Sequence, residues 1–242
     1  MNSILEVSGL HAGYGAGDIL KGIDLELPRE KIMTVIGPNG SGKSTLAKTL
    51  AGLLPARAGT ITLDGGSLNE LGAPKRVLAG ISYVPQEYNV FRNLTVLENL
   101  KIAREFMGGN GNGRALDEGL EQLFPELPKH YRIAAGNLSG GQRQMLAFAC
   151  ALTVRPKLLI LDEPSAGLSP LLTREVFERV ERVNRAGVSI LMIEQNAIEA
   201  LRISHECVVL SGGRVRASAS AKDVLSMKDL NSFYLGDASN RI

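Results

Sequence analysis

The run Ile32-Met33-Thr34-Val35-Ile36 passes directly into Gly37-Pro38-Asn39-Gly40-Ser41-Gly42-Lys43-Ser44, and this junction limits the chain to few folds. An apolar run without alternation reads as a strand covered on both faces, as in sheets flanked by helices. The glycines let the backbone curl so that its N–H groups face the β and γ phosphates of a nucleotide. Lys43 adds a compact positive charge, and the Ser44 hydroxyl can ligate magnesium. Strand, loop, then helix is the order such a phosphate loop requires, so an α/β architecture is expected around it.

The rest of the chain fits that expectation. Residues 4–7, 23–27 and 60–63 read as strands, as do the more continuously apolar 158–161 and 188–193. Between the last two, residues 171–186 read as a helix with Val176, Phe177, Val180 and Val183 inward, and strand, helix, strand implies a parallel sheet. Glu175 with Arg179 and Glu178 with Arg182 are each four apart, which suggests a solvated charged face on that helix. From about residue 87 to 153 the spacing turns helical: Val96, Leu97, Leu100, Ile102, Ala103 and Phe106, then Leu116, Leu120, Leu123 and Phe124, then Met145, Phe148, Ala149 and Leu152. We expect a helical subdomain there, interrupted by a surface loop of glycine and asparagine at 108–113. A hairpin about Ser211-Gly212-Gly213-Arg214 and a helix started by a capping box at Ser220 complete the pattern. Residues 1–242 read as one α/β unit with a helical insertion.

Composition narrows the possible partners. The 242 residues, 44% of them apolar, can bury a substantial core, and a net charge of +2 supplies no strong field for nucleic acid or anionic lipid. No stretch approaches the roughly 18 apolar residues that span a bilayer, and the first residues lack a basic segment leading into an apolar run, so a soluble, unexported chain is expected. Cys150 and Cys207 lack metal-ligand spacing and sit in apolar runs, which favours small buried hydrophobes.

Two further elements carry chemistry. Asp162 and Glu163 end an apolar strand, where a carboxylate is costly unless it faces a crevice and a cation. Asp162 suits a magnesium contact, and Glu163 suits polarising a water in line with a γ phosphate. Twenty residues earlier, Leu138-Ser139-Gly140-Gly141-Gln142 offers a serine hydroxyl and consecutive amides ahead of a helix, a second anion site.

With the phosphate loop, this second element, the acidic strand end and Tyr83-Val84-Pro85-Gln86, the chain resembles an ATP-binding subunit of an ABC transporter over nearly its whole length. The resemblance implies a phosphate-loop ATPase core with a mostly parallel central sheet, an antiparallel N-terminal β-subdomain and a helical subdomain. It implies ATP and Mg2+ as ligands. Nucleotide contacts would come from Tyr14, stacked on adenine, from Gly37 through Thr45, and from Ser139, Gly140, Gly141 and Gln142. Metal contacts would come from Ser44, Gln86 and Asp162, and catalytic roles would fall to Glu163, Gln86 and Gln195. A second ATP-binding subunit would pair head to tail, so that Ser139 reaches the γ phosphate held by the other subunit's Lys43. Permeases would be separate transmembrane chains, with a solute-binding protein acting through them, and the protein would sit at the cytoplasmic face of the inner membrane.

Two departures bear on mechanism. Gln195 stands where the family usually has a histidine, and Ser169 where it usually has an aspartate. Glutamine can donate to phosphate but cannot carry the charge of imidazolium, so Gln195 is either a γ-phosphate contact or a structural residue. Strings such as Ile193-Glu194-Gln195-Asn196-Ala197 and Phe233-Tyr234-Leu235-Gly236 resemble the smaller ATP-binding subunit of branched-chain amino acid importers, whose relatives serve urea or short-chain amides. Action on DNA or ribosomes is the competing reading. Against it, the chain has one cassette and no sustained heptads between the phosphate loop and Leu138. A phosphate-loop kinase or GTPase, the third reading, does not account for the second glycine-rich element.

Overall fold

Alternating burial along the first strands, with successive residues facing core and solvent, is what one half-covered sheet demands. In the computed structural model, which describes residues 3–87, 89–105 and 118–226, these strands are β1 (Ser3–Ala12) and β2 (Leu20–Pro28). The fully buried β3 (Ile32–Ile36) follows, then α1 (Lys43–Leu50), β4 (Ala58–Leu63), β5 (Gly66–Ser67), α2 (Ala73–Ala79) and β6 (Ile81–Val84). Next come α3 (Val96–Glu105), α4 (Glu118–Leu123), α5 (Gly140–Thr153), β7 (Leu158–Asp162), α6 (Pro170–Arg185) and β8 (Ser189–Ile193). The described chain ends with α7 (Ala197–Ile203), β9 (Glu206–Ser211), β10 (Arg214–Ser220) and α8 (Ala221–Ser226).

The strands form two sheets. One is antiparallel in the order β2-β1-β4-β5; the other runs β10-β9-β3-β8-β7-β6 and is parallel except where β10 pairs with β9. One apolar cluster joins the antiparallel sheet, α1 and one face of the central sheet through Leu10, Leu27, Leu46, Leu50 and Ile160. A second joins the other face to the helices through Ile190, Met192, Phe148, Phe124 and Val180. Because β3, β6, β7 and β8 are parallel, the loops that leave them emerge at one edge, where ligands bind in open α/β sheets.

The predicted strands and the helix over 171–186 stand within a few residues of where spacing put them, and the hairpin and the Ser220 cap are present. Four elements arise without prior signal: α2, β5, β6 and α7 are each two to seven residues long, too short for periodicity to register. On α6, Arg179 turns away from Glu175. Its guanidinium meets Glu126 at 3.3 Å and lies 5.8 Å from the Phe124 ring centre, tying α6 to the helical region. Both cysteines are free thiols, pushed up to about 12 by burial. Phe106, Leu116, the loop at 108–113 and the string at 233–236 lie outside the described residues.

Candidate active site

The phosphate loop is shaped by its neighbours. At Gly37 a β-carbon would sit 2.0 Å from the Leu210 carbonyl oxygen of β9, and Gly42, at φ +106, turns the chain into α1 against Ile19 and Leu20. Only glycine fits both places. Residues 38–40 are exposed, while Lys43 is buried, its Nζ donating to the carbonyls of Gly37 at 2.8 Å and Pro38 at 3.1 Å. Burial lowers the Lys43 pKa, opposed by the charges of Glu163 and Asp162. The buried Ser41 hydroxyl has no protein partner, and Thr45 lies buried in the first turn of α1.

Asp162 ends β7 almost fully buried. One carboxylate oxygen accepts from the Ser44 hydroxyl at 3.2 Å and the other from the Tyr83 hydroxyl at 3.1 Å. Burial raises its pKa, against the pull of these bonds and of Lys48 and Lys43. The Tyr83 hydroxyl is pushed well above its usual range by the same burial and by the Asp162 charge.

Glu163 follows in a left-handed backbone conformation, φ +49, its N–H bonded to the Ile193 carbonyl at 2.9 Å. Such a conformation is strained for a residue with a β-carbon. Its carboxylate is gripped from both sides: Gln86 Nε2 donates to one oxygen at 3.0 Å and Gln195 Nε2 to the other at 3.0 Å. Gln195 Nε2 also donates to Asn39 Oδ1 at 3.0 Å, so the loops after β3, β6, β7 and β8 meet around this carboxylate.

The second glycine-rich element opens α5. Ser139 is its N-cap in a complete capping box, with Ser139 Oγ accepting from Gln142 N at 3.2 Å and Gln142 Oε1 accepting from Ser139 N at 2.9 Å. The remaining two amides of the first turn, those of Gly140 and Gly141, have no acceptor within the helix and stand at its positive end. The Gln142 side chain is committed to the cap and to His130, whose Nε2 lies 3.2 Å from its amide nitrogen. The α1 helix packs on β1, β7 and β8, whereas α5 packs on α3, β6 and α6, so the two glycine-led helix starts belong to different parts of the molecule. Ser169, in the position usually held by aspartate, N-caps α6.

Tyr14 is 53% exposed on the turn between β1 and β2. Arg57 fastens that turn by donating to the carbonyls of Gly13 and Gly15 and to Asp18 at 2.8 Å, and His11 meets the other Asp18 oxygen at 3.0 Å.

The family model described as ABC transporter matches residues 20–166. The chain belongs to the ABC transporter family. A relative from Archaeoglobus fulgidus, the probable branched-chain amino acid transport ATP-binding protein LivF, is 40% identical over 96% of this chain and 99% of its own length. BraG of Pseudomonas aeruginosa, a high-affinity branched-chain amino acid transport ATP-binding protein, is 39% identical over 92% and 95%. The lipopolysaccharide export system ATP-binding protein LptB of Haemophilus influenzae is 30% identical over 97% and 98%. Among solved structures, the ADP conformation of MJ1267, an ATP-binding cassette of an ABC transporter, superimposes with a TM-score of 0.83 at 27% identity, covering 98% of this chain and 100% of that one.

As an ABC ATPase domain the protein binds adenine nucleotide and hydrolyses ATP. Three contacts of the site carry no sequence signal of their own: the Tyr83 hydroxyl on Asp162, Arg57 on the turn that bears Tyr14, and the buried Glu194 on Ser165; Asn39, expected as a nucleotide contact, also meets Gln195. Each acts through a partner far away in sequence, which spacing along a single element does not reveal.

Proposed function

We propose that the protein is the ATP-hydrolysing motor of a membrane importer of branched-chain amino acids, built as one ATP-binding domain over residues 1–242. The 40% identity to LivF across both full lengths carries this reading. LptB, at 30%, makes lipopolysaccharide export the second reading. Leucine uptake by vesicles holding this subunit and its cognate permeases tests the choice: ATP-dependent leucine accumulation is expected, and none with extraction of lipopolysaccharide instead would reverse it.

Nucleotide phosphates would lie on the amides of the loop at 37–45 and on Lys43, whose ammonium would exchange its two carbonyl partners for phosphate oxygens. Tyr14 would stack on the adenine. The donor set suits Mg2+: the Ser44 hydroxyl and the Asp162 carboxylate are hard oxygen ligands already 3.2 Å apart, and among the described residues no cation is hydrogen-bonded to the carboxylate. Gln86 is the third expected metal ligand. Bound Mg2+ would neutralise charge across the β and γ phosphates.

Glu163 would accept the proton of the attacking water, and the two glutamines would fix its aim. Gln195, donating one hydrogen to Glu163 and one to Asn39, is placed to exchange the Asn39 bond for a phosphate oxygen. Ser139 and the amides of Gly140 and Gly141 would complete the site of a second, paired ATP-binding subunit, with the Gln142 side chain holding the cap in shape. Permease chains would dock near Gln86 and the helical subdomain; exposed Leu53 lines a groove of about 280 Å³ with Val77, Tyr83 and Ala103, and exposed Leu78 is the next residue of α2 after Val77. Among the described residues no helix is long and apolar enough to cross a membrane; the likeness to LivF and BraG supports a peripheral place at its cytoplasmic face. Glu163→Gln should retain ATP binding, stop turnover and accumulate the paired form on a sizing column; normal steady-state hydrolysis would sink this assignment.

A further inference from the structure

Glu194 is 2% exposed, the first residue beyond β8, and among the described residues no cation bonds its carboxylate. Burying an unpaired carboxylate costs several kcal/mol unless hydrogen bonds replace its water. Those bonds come from two separate loops. One oxygen accepts the backbone N–H of Ser165 at 2.9 Å, and the other accepts the backbone N–H groups of Gln195 at 3.1 Å and Asn196 at 3.4 Å.

We propose that Glu194 is a positioning residue for hydrolysis, a brace that clamps the loop after β7 to the loop after β8 and so holds Glu163 and Gln195 in register. The inference rests on the role given to Glu163 above. Glu163 sits between two ties to the neighbouring strand end: its own N–H on the Ile193 carbonyl and, two residues on, the Ser165 N–H on Glu194. A left-handed glutamate relaxes unless both sides are held, and relaxation would swing its carboxylate away from the glutamine amides. The other oxygen fixes the Gln195 backbone, so that its side chain reaches Glu163. A carboxylate is required because acceptors are needed on both oxygens. The isosteric amide would turn an N–H2 group toward backbone N–H donors on one side and release one loop.

The test uses Glu194→Gln in the full chain, with ATP turnover, ATP affinity and amide exchange measured together. Turnover should fall about tenfold or more, the loss expected when a charge-assisted hydrogen bond is removed, with ATP affinity within about twofold of the parent. In the nucleotide-free protein the amides of Ser165 or of Gln195 and Asn196 should exchange about tenfold faster while those inside β7 and β8 keep their protection. Turnover near the parental rate, or unchanged exchange in both loops, overturns the proposal, as does a loss of affinity that matches the loss of rate. Glu163→Gln is the control: if it abolishes turnover while Glu194→Gln does not, the brace alone fails. If Glu163→Gln turns over normally, the reading of Glu163 itself fails.

Discussion

The side-chain amide of Gln195 and the carboxylate of Glu163 meet at 3.0 Å across adjacent parallel strand ends. The contact replaces what a histidine could offer with a neutral donor that does not titrate. Gln86 supplies the matching contact on the opposite oxygen.

Each glutamine should therefore matter to rate more than to binding. Gln195→Ala and Gln86→Ala each remove one hydrogen bond to a charged acceptor, about 1.5–3 kcal/mol. We expect kcat to fall about tenfold or more in each, with the ATP dissociation constant little changed. Because both act on one carboxylate, the double variant should lose less than the product of the two, as single-turnover rates would show.

Asp162 should cost the nucleotide-free fold stability. Burial raises its pKa above the unfolded value, so above the raised value the ionised carboxylate is a penalty, which fades as pH falls through that value. Asp162→Asn should raise Tm at neutral pH without nucleotide, since one of the Ser44 and Tyr83 hydroxyls can keep donating to the amide oxygen while the other turns to accept from the amide nitrogen. The gain should shrink in acid. Thermal melts across pH measure both; a lower Tm at neutral pH contradicts the burial argument.

Arg57→Ala should act on nucleotide affinity. Without its bonds to Gly13, Gly15 and Asp18 the turn that presents Tyr14 loses its fastening, and KM for ATP should rise several-fold, as expected for loss of about 1 kcal/mol of positioning, with kcat nearly kept. Lysine at 57 keeps the charge but not the fork, so it should restore little. An unchanged KM separates Arg57 from the nucleotide.

Leu53→Ser with Leu78→Ser should leave ATP hydrolysis by the isolated subunit within about twofold and stability within about 0.5 kcal/mol, because both side chains are already exposed. Co-purification with permeases should drop. Full retention of the complex would place the docking surface elsewhere.

Much of the fold was legible because its strongest signals are local. The Ile32–Ile36 strand shows burial as an unbroken apolar run, and the stripe of Met145, Phe148, Ala149 and Leu152 and the inward face of α6 show it as a period that neighbouring residues repeat. The α2 helix was not legible: its one buried residue is Arg76, whose guanidinium caps the carbonyls of Thr49 and Leu50 at the end of α1. The wiring of the site was hidden for a related reason. Spacing along one helix paired Arg179 with Glu175, but the nearer carboxylate in space belongs to Glu126. Likewise Asn39 and Gln195 are brought together only by the order of the strands.

The left-handed backbone at Glu163 also bears on descent. A glycine or asparagine would sit there with less strain and yield a sturdier protein; under the role proposed for Glu163, the demand for turnover keeps a glutamate in place. A duplicated copy released from that demand should drift toward those residues. The identity of this single position would then record, in any lineage, whether the gene still encodes a working engine or has been retired to a scaffold.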